Sequence, residues 1–192
     1  MRKLIGIKKM EKLPVFNTKT YNKFFGEKNI DKWKVFYDYF LDKSLKILDF
    51  GCGAGWSIHL GRKLGYDIHG LDVKAWANAA KNFIEFREAL GVSKYVKLYD
   101  GYGTLPWSDN SFSLIVCRGS FNKFKSKEAK KDEREIILER IGEFSRILYG
   151  PKIVVIAGGY FLKFKKEFKK AGINDVYLWN KNSIKQVWGK GA

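Results

Sequence analysis

Cysteine and histidine are scarce in this chain, and each scarcity excludes a class of protein. Two cysteines in 192 residues, Cys52 and Cys117, do not make a disulfide framework. The thiols are therefore expected to be reduced and the protein cytoplasmic. His59 and His69 stand ten positions apart with no cysteine or acid suitably placed between them, so no metal centre is expected. Long hydrophobic runs are missing too. No stretch approaches the roughly 20 apolar residues of a membrane-spanning helix. Residues 4–7, caught between Arg2-Lys3 and Lys8-Lys9, are too short for a signal-peptide core. Acids are few: 20 Asp and Glu stand against 37 Lys and Arg, for a net charge of +17. Internal repeats and low-complexity tracts do not occur.

What is present suits one globular domain, since 45% of residues are hydrophobic and the length allows a sizeable core. The charge fits a polyanionic partner such as RNA, because Lys and Arg neutralise phosphates and release counterions. An AT-rich coding bias, or the lysine enrichment of proteins from hot environments, would also raise the lysine count. Either cause should raise Glu as well, which the low acidic count does not show. Nothing in the residues fixes an oligomeric state.

From Leu45 onward, short β-type runs alternate with longer helical patterns, which predicts βαβ units around a parallel sheet. Strands are expected at residues 45–50, 66–73, 95–99, 112–117 and 152–157, with a terminal pair at 175–179 and 184–188. Helices are expected at 56–64, 75–90, 132–148 and 161–171, with Gly65 and Gly91 as stops and Gly150-Pro151 as a breaker. Residues 152–157 are the most apolar run and are expected to form the central strand. In the 161–171 helix, Phe161, Phe164 and Phe168 share one face. Lys163, Lys165, Lys166, Lys169 and Lys170 share the other, as either a solvated face or a phosphate-binding stripe. Residues 1–44 are basic, aromatic and not strand-like. Their one clear helix, over 31–41, carries Trp33, Phe36, Tyr37 and Phe40 on its apolar side. We expect residues 1–44 to cap the carboxyl end of the sheet and residues 45–192 to form the ligand-binding unit.

The most informative stretch is Asp49-Phe50-Gly51-Cys52-Gly53-Ala54-Gly55. Three glycines on alternate positions at a strand-to-helix turn let a ligand lie against bare backbone. A dinucleotide fingerprint, G-x-G-x-x-G, would need glycine at position 56, where the chain has Trp56. The pattern D-x-G-x-G-x-G instead resembles motif I of the class I S-adenosylmethionine-dependent methyltransferases. Residues 105–117, L-P-W-S-D-N-S-F-S-L-I-V-C, are similar to a second signature of that class, in the broad branch called methyltransferase type 11. The likeness spans about residues 46–157.

The resemblance implies a Rossmann-like three-layer α/β sandwich of seven mostly parallel strands, the last antiparallel, with S-adenosyl-L-methionine as cofactor. Four pieces are then expected to converge at the carboxyl ends of neighbouring strands. Asp49 would accept from the cofactor's amino group, and the backbone at Gly51, Cys52, Gly53 and Gly55 would face the methionine moiety and ribose. Asp72, with Val73, ends the second strand about twenty residues on, where an acid binds ribose hydroxyls. Asp100-Gly101 follows the third strand, where the family often places an acid for the adenine amino group. The fourth piece, residues 105–117, ends in Cys117, a small wall residue lacking the preceding proline of the cysteine-nucleophile enzymes.

Where many members carry a histidine pair, this chain has Arg118-Gly119-Ser120-Phe121-Asn122-Lys123. Arg118 would bind an anionic acceptor group or pair with a surface acid. Tyr21, Phe24, Phe25 and Trp107 are candidate pocket walls or core residues. No general base stands out. Three functions stay open: methylation of a small molecule, methylation of RNA through the lysine-rich surface, and cofactor binding without catalysis.

Overall fold

A computed structural model describes residues 27–74, 81–121, 132–180 and 183–189. Among them, seven strands form one sheet: β1 (Lys46–Phe50), β2 (Asp67–Val73), β3 (Val96–Tyr99), β4 (Phe112–Cys117), β5 (Leu148–Ala157), β6 (Asp175–Asn180) and β7 (Ser183–Trp188). Their order is β3-β2-β1-β4-β5-β6-β7. All pairings are parallel except β6 with β7. The flanking helices are α1 (Glu27–Tyr39), α2 (Trp56–Lys63), α3 (Lys81–Ala89), α4 (Glu133–Ile147) and α5 (Lys165–Lys170).

Successive strand residues point to opposite faces, and both faces are buried. Leu48, Phe50, Ile115, Cys117, Val154 and Ile156 pack against Ile137, Ile141 and Phe144 of α4 and against Phe161 and Phe168. Ile47, Ile68, Leu114, Val116 and Val155 face the other way, towards Trp33 and Phe36 of α1, Ile58 of α2 and Phe86 of α3. Every residue of β4 is buried, so β4 is the central strand. The expectation for residues 152–157 is corrected by one position: β5 lies next to the centre, and its apolar character reflects cover on both faces.

Three further element expectations change. Gly150-Pro151 does not separate helix from strand, because β5 starts at Leu148 and runs through both residues. The pairing with β4 absorbs them as an irregularity between Phe112 and Leu114. The lysine-rich helix is shorter than its pattern, with Gly159–Phe164 forming a 3₁₀ turn that leads into α5. Of the 75–90 helix, residues 75–80 lie outside the described residues. The α4 start follows the sequence well: Asp132 caps it by accepting from the Glu135 N–H at 2.7 Å, a bond worth about 1 kcal/mol.

The described part of the N-terminal segment, α1, packs on the second face of the sheet, against α2. Trp33 meets Trp179 edge-on at 4.9 Å, and Phe36 stacks on the same indole at 5.5 Å. Tyr37 donates its hydroxyl proton to the Ser57 carbonyl at 2.7 Å.

Close contact between α1, α2 and β2 depends on Gly61. A Cβ there would stand 2.8 Å from both Ile68 Cγ2 and Tyr37 Cζ. Alanine improves helix propensity by about 1 kcal/mol, but overpacking costs about 1–3 kcal/mol, and the Tyr37 hydrogen bond is strained as well. Gly61→Ala is therefore expected to destabilise the protein on balance. A urea midpoint at or above that of the wild type would contradict this.

Candidate active site

The glycine turn leaves β1 and enters α2 with three left-handed residues: φ is 83° at Gly51, 53° at Gly53 and 82° at Gly55. Side chains other than glycine rarely adopt such angles. The turn is anchored from behind, since the N–H groups of Gly51 and Cys52 both donate to the Leu71 carbonyl at 2.8 and 3.0 Å. In front of it lies a cavity of about 370 Å³, lined by Asp49, the 51–54 turn, Trp56, Ser57, Arg118, Gly119, Ala157, Trp33 and Phe83. These residues come from the carboxyl ends of β1, β4 and β5 and from α1, α2 and α3. Open parallel sheets bind ligands at this end.

Asp49 is the acid of this cavity and is 2% exposed. Its Oδ2 accepts from the Ser57 hydroxyl. Burial pushes its carboxyl up to about 7, against the pull of that hydrogen bond and of the Arg118 charge, while Asp72 adds a smaller push. Arg118 lies with its guanidinium 5.4 Å from the centre of the Trp179 ring. Burial lowers its proton affinity, and Asp49 works the other way. Burial first, then Asp49, raises the Cys52 thiol well above the ordinary range.

Of the residues chosen from sequence, the cavity brings together Asp49, Gly51, Cys52, Gly53 and Arg118. Gly55 starts α2 just behind the wall. Asp72, Val73, Asp100 and Gly101 occupy the same end of the sheet one and two strands away, because Asp72 pairs with Leu98 and Val73 with Tyr99. They do not line this cavity. Asp100 is exposed and pairs with Lys74 at 3.2 Å. Asp72 is 2% exposed and accepts from Arg87 at 2.5 Å. Tyr21, Phe24 and Phe25 lie outside the described residues.

Two candidates are placed elsewhere. Cys117 is fully buried within the opposite core, its sulfur 3.1 Å from Ser120 Oγ, and burial pushes its thiol up to about 12. Trp107 is at the wrong end of the sheet. It packs on Phe112, the first residue of β4, at 5.2 Å. The expectation that residues 105–117 contribute to the carboxyl ends is thus corrected, because most of that run leads into β4 from its amino end. Its loop is held by α4. Arg146 donates to the carbonyls of Leu105 and Trp107 and to Asp109, while Glu143 accepts from the Leu105 N–H at 2.6 Å. The signature is a structural clasp.

Sequence reasoning missed Ser57 as the partner of Asp49 and Phe83 as a cavity residue, and it read Trp33 only as part of a helix face. It also missed Arg87. A usable signal existed, since Phe83 and Arg87 are four apart and share a helix face.

An adenosyl cofactor fits this arrangement. The turn presents bare backbone, and even a Cβ added at Gly53 would project towards Phe83 across the cavity wall, 3.8 Å from its ring. A family profile described as "Methyltransferase domain" matches residues 21–133, more than half of the chain. The chain belongs to that methyltransferase family. It is an S-adenosylmethionine-dependent methyltransferase, and S-adenosyl-L-methionine is its cofactor.

Solved structures share the fold of this methyltransferase. A proposed S-adenosyl-L-methionine-dependent methyltransferase of Methanococcus maripaludis aligns at 16% identity over 91% of this chain and 90% of its own, with TM-score 0.65. A TehB-like S-adenosylmethionine-dependent methyltransferase of Corynebacterium glutamicum aligns at 22% identity over 77% and 73%, with TM-score 0.53. A proposed sarcosine dimethylglycine methyltransferase of Galdieria sulphuraria aligns at 20% identity over 78% and 62%, with TM-score 0.50. At such identities these likenesses speak to fold, including the seven-stranded, mostly parallel sheet with its antiparallel last strand. No curated protein matches the sequence. No described helix is long and apolar enough to cross a membrane.

Proposed function

We propose that the methyltransferase acts on a small acceptor molecule that carries an anionic or electron-rich group. One observation carries this reading: Arg118 is the single basic side chain among the described residues of the cavity, and its charge acts on the acid there, Asp49. A cationic sulfonium gains nothing from a nearby guanidinium, so Arg118 suits the acceptor and Asp49 suits the donor. When bound, the cofactor supplies a methyl group already activated on sulfur. The chain then has to bind, orient and exclude water.

In this reading Asp49 holds the cofactor's amino group directly or through water, and Gly51, Cys52, Gly53 and Gly55 give it backbone. Asp72 and Val73 face the ribose, and Asp100 and Gly101 the adenine. Trp33, Trp56 and Phe83 keep the transfer site dry, and residues 1–44, Tyr21 among them, cap it. Cys117 stays a buried support. The high proton affinity of both thiols speaks against covalent catalysis through sulfur.

The cofactor assignment has a direct test. Saturation with S-adenosylhomocysteine at about 100 times its Kd should stabilise the protein by about 2.7 kcal/mol and raise Tm accordingly. An unmoved Tm at millimolar ligand would refute it.

RNA methylation is the second reading, supported by the exposure of Lys163, Lys165, Lys166, Lys169 and Lys170 together around α5. A phosphate-driven complex loses affinity steeply between 50 and 200 mM salt, by the order of a thousandfold for six or more contacts. Absence of RNA binding at low salt would remove this reading and leave the small acceptor.

A further inference from the structure

Arg87 is a buried cation, 4% exposed, on α3, one turn after Phe83 of the cavity lining. Its guanidinium joins two parts of the carboxyl edge that otherwise belong to different strands. Nε donates to the Gly53 carbonyl at 2.7 Å, within the glycine turn. Nη2 donates to Asp72 Oδ2 at 2.5 Å, at the end of β2. The other carboxylate oxygen, Oδ1, accepts from the Val73 N–H at 2.9 Å. A Cβ at Gly55 would meet Arg87 Cγ in ordinary contact at 3.6 Å, but would stand 2.7 Å from Val92 Cγ2, just beyond α3.

A carboxylate offers about four acceptor sites. Arg87 and the Val73 N–H use two of them, which leaves two, the number a ribose diol needs. Only a planar fork can reach both Gly53 and Asp72 at once; an ammonium is a point charge on a flexible stem. Building on the cofactor assignment above, we propose that Arg87 is a positioning residue: it locks the Asp72 carboxylate to the glycine turn so that its free lone pairs meet the cofactor's 2′ and 3′ hydroxyls. The electrostatics agree. Burial favours the protonated form of Asp72, and the Arg87 charge is the largest influence opposing it. A protonated acid could not accept from both hydroxyls.

The test is a ratio, because removing one partner of a buried pair also destabilises the fold. Calorimetric Kd values are measured for S-adenosylhomocysteine and for its 2′-deoxyribosyl analogue. Wild-type protein is expected to favour the diol by about tenfold or more, the scale of a charged hydrogen bond. In Arg87→Lys, and in Arg87→Met if it folds, that preference should shrink to about threefold or less. Asp72→Asn should do the same, and adding Arg87→Lys to Asp72→Asn should change the ratio no further. If Arg87 served the fold alone, both affinities would fall together and the tenfold preference would survive. That outcome overturns the proposal, as does a wild type indifferent to the 2′ hydroxyl, and either leaves the methyltransferase assignment standing. Failure of the wild type to bind either ligand would overturn both.

Discussion

Gly53→Val is expected to weaken cofactor binding strongly in a protein that still folds well, whereas Gly55→Val should strongly destabilise the fold. The two sites are two residues apart, and both are left-handed, at φ 53° and 82°. Forcing a residue with a Cβ into that region costs roughly 1–2 kcal/mol at either position. The difference lies in what the new side chain meets. At Gly53 the nearest atoms to a Cβ belong to Phe83, at an ordinary 3.8 Å, so the cost stops at the backbone. The valine methyls then occupy the space a ligand would use against the turn. We expect a loss of more than about 2 kcal/mol in binding, some thirtyfold in Kd.

At Gly55 a Cβ lies 2.7 Å from Val92 Cγ2 and 3.6 Å from Arg87 Cγ. Overpacking against Val92 adds about 1–3 kcal/mol. The combined penalty is a large fraction of a typical domain's 5–15 kcal/mol. Urea denaturation and calorimetry with S-adenosylhomocysteine separate the two failures. Near-native affinity in Gly53→Val would show that the ligand does not lie against this turn.

Much of this is legible in the sequence alone, for physical reasons that differ between regions. Alternating faces and glycine stops placed β1, β2, β4 and the β6–β7 pair closely, because strand periodicity and left-handed stops are local properties. The Asp49–Gly55 turn was also legible, since its spacing states a backbone requirement. The long-range partners were not. Ser57 meets Asp49 across a helix start, and Arg87 reaches two segments 15 and 34 residues away. Helix spacing puts Arg87 on the face of Phe83, but the partners that Ser57 and Arg87 reach leave no trace in the sequence.

An aromatic residue such as Trp107 suits a pocket wall and a packed loop equally well. Its run is fixed by Glu143 and Arg146 of α4, which are distant in sequence. The apolar run in β5 misled differently: hydrophobicity reports cover on both faces, and several strands of a doubly covered sheet share that property.

Asp49→Asn is expected to stabilise the protein above neutrality while removing the pH dependence of cofactor affinity. The sign follows from proton binding. In the unfolded chain the carboxyl titrates near 3.8, and in the fold burial raises it to about 7. Between those values the folded state holds more protons than the unfolded state, so this group makes stability fall as pH rises from about 4 to 7 and level off beyond. The gap corresponds to at most about 4 kcal/mol lost by pH 8. Asparagine cannot ionise, and its carbonyl can still accept from Ser57. Measured as the difference between variant and wild type, the effect excludes titrations common to both, including those of His59 and His69.

The charged groups acting on Asp49, namely Arg118 and Asp72, are already counted in its value near 7. A cationic ligand in the cavity favours the ionised acid, so wild-type affinity for S-adenosylmethionine should rise between pH 5 and 8. The asparagine variant should show a flat profile. An acid that costs stability in the empty protein and is useful only beside a cation is the compromise expected at a ligand site. Urea titrations at pH 5, 6 and 8 check the first half and calorimetry over the same range the second. If the variant reproduces the wild-type slope in both, Asp49 is not the titrating group and the cavity has no acid matched to a sulfonium donor.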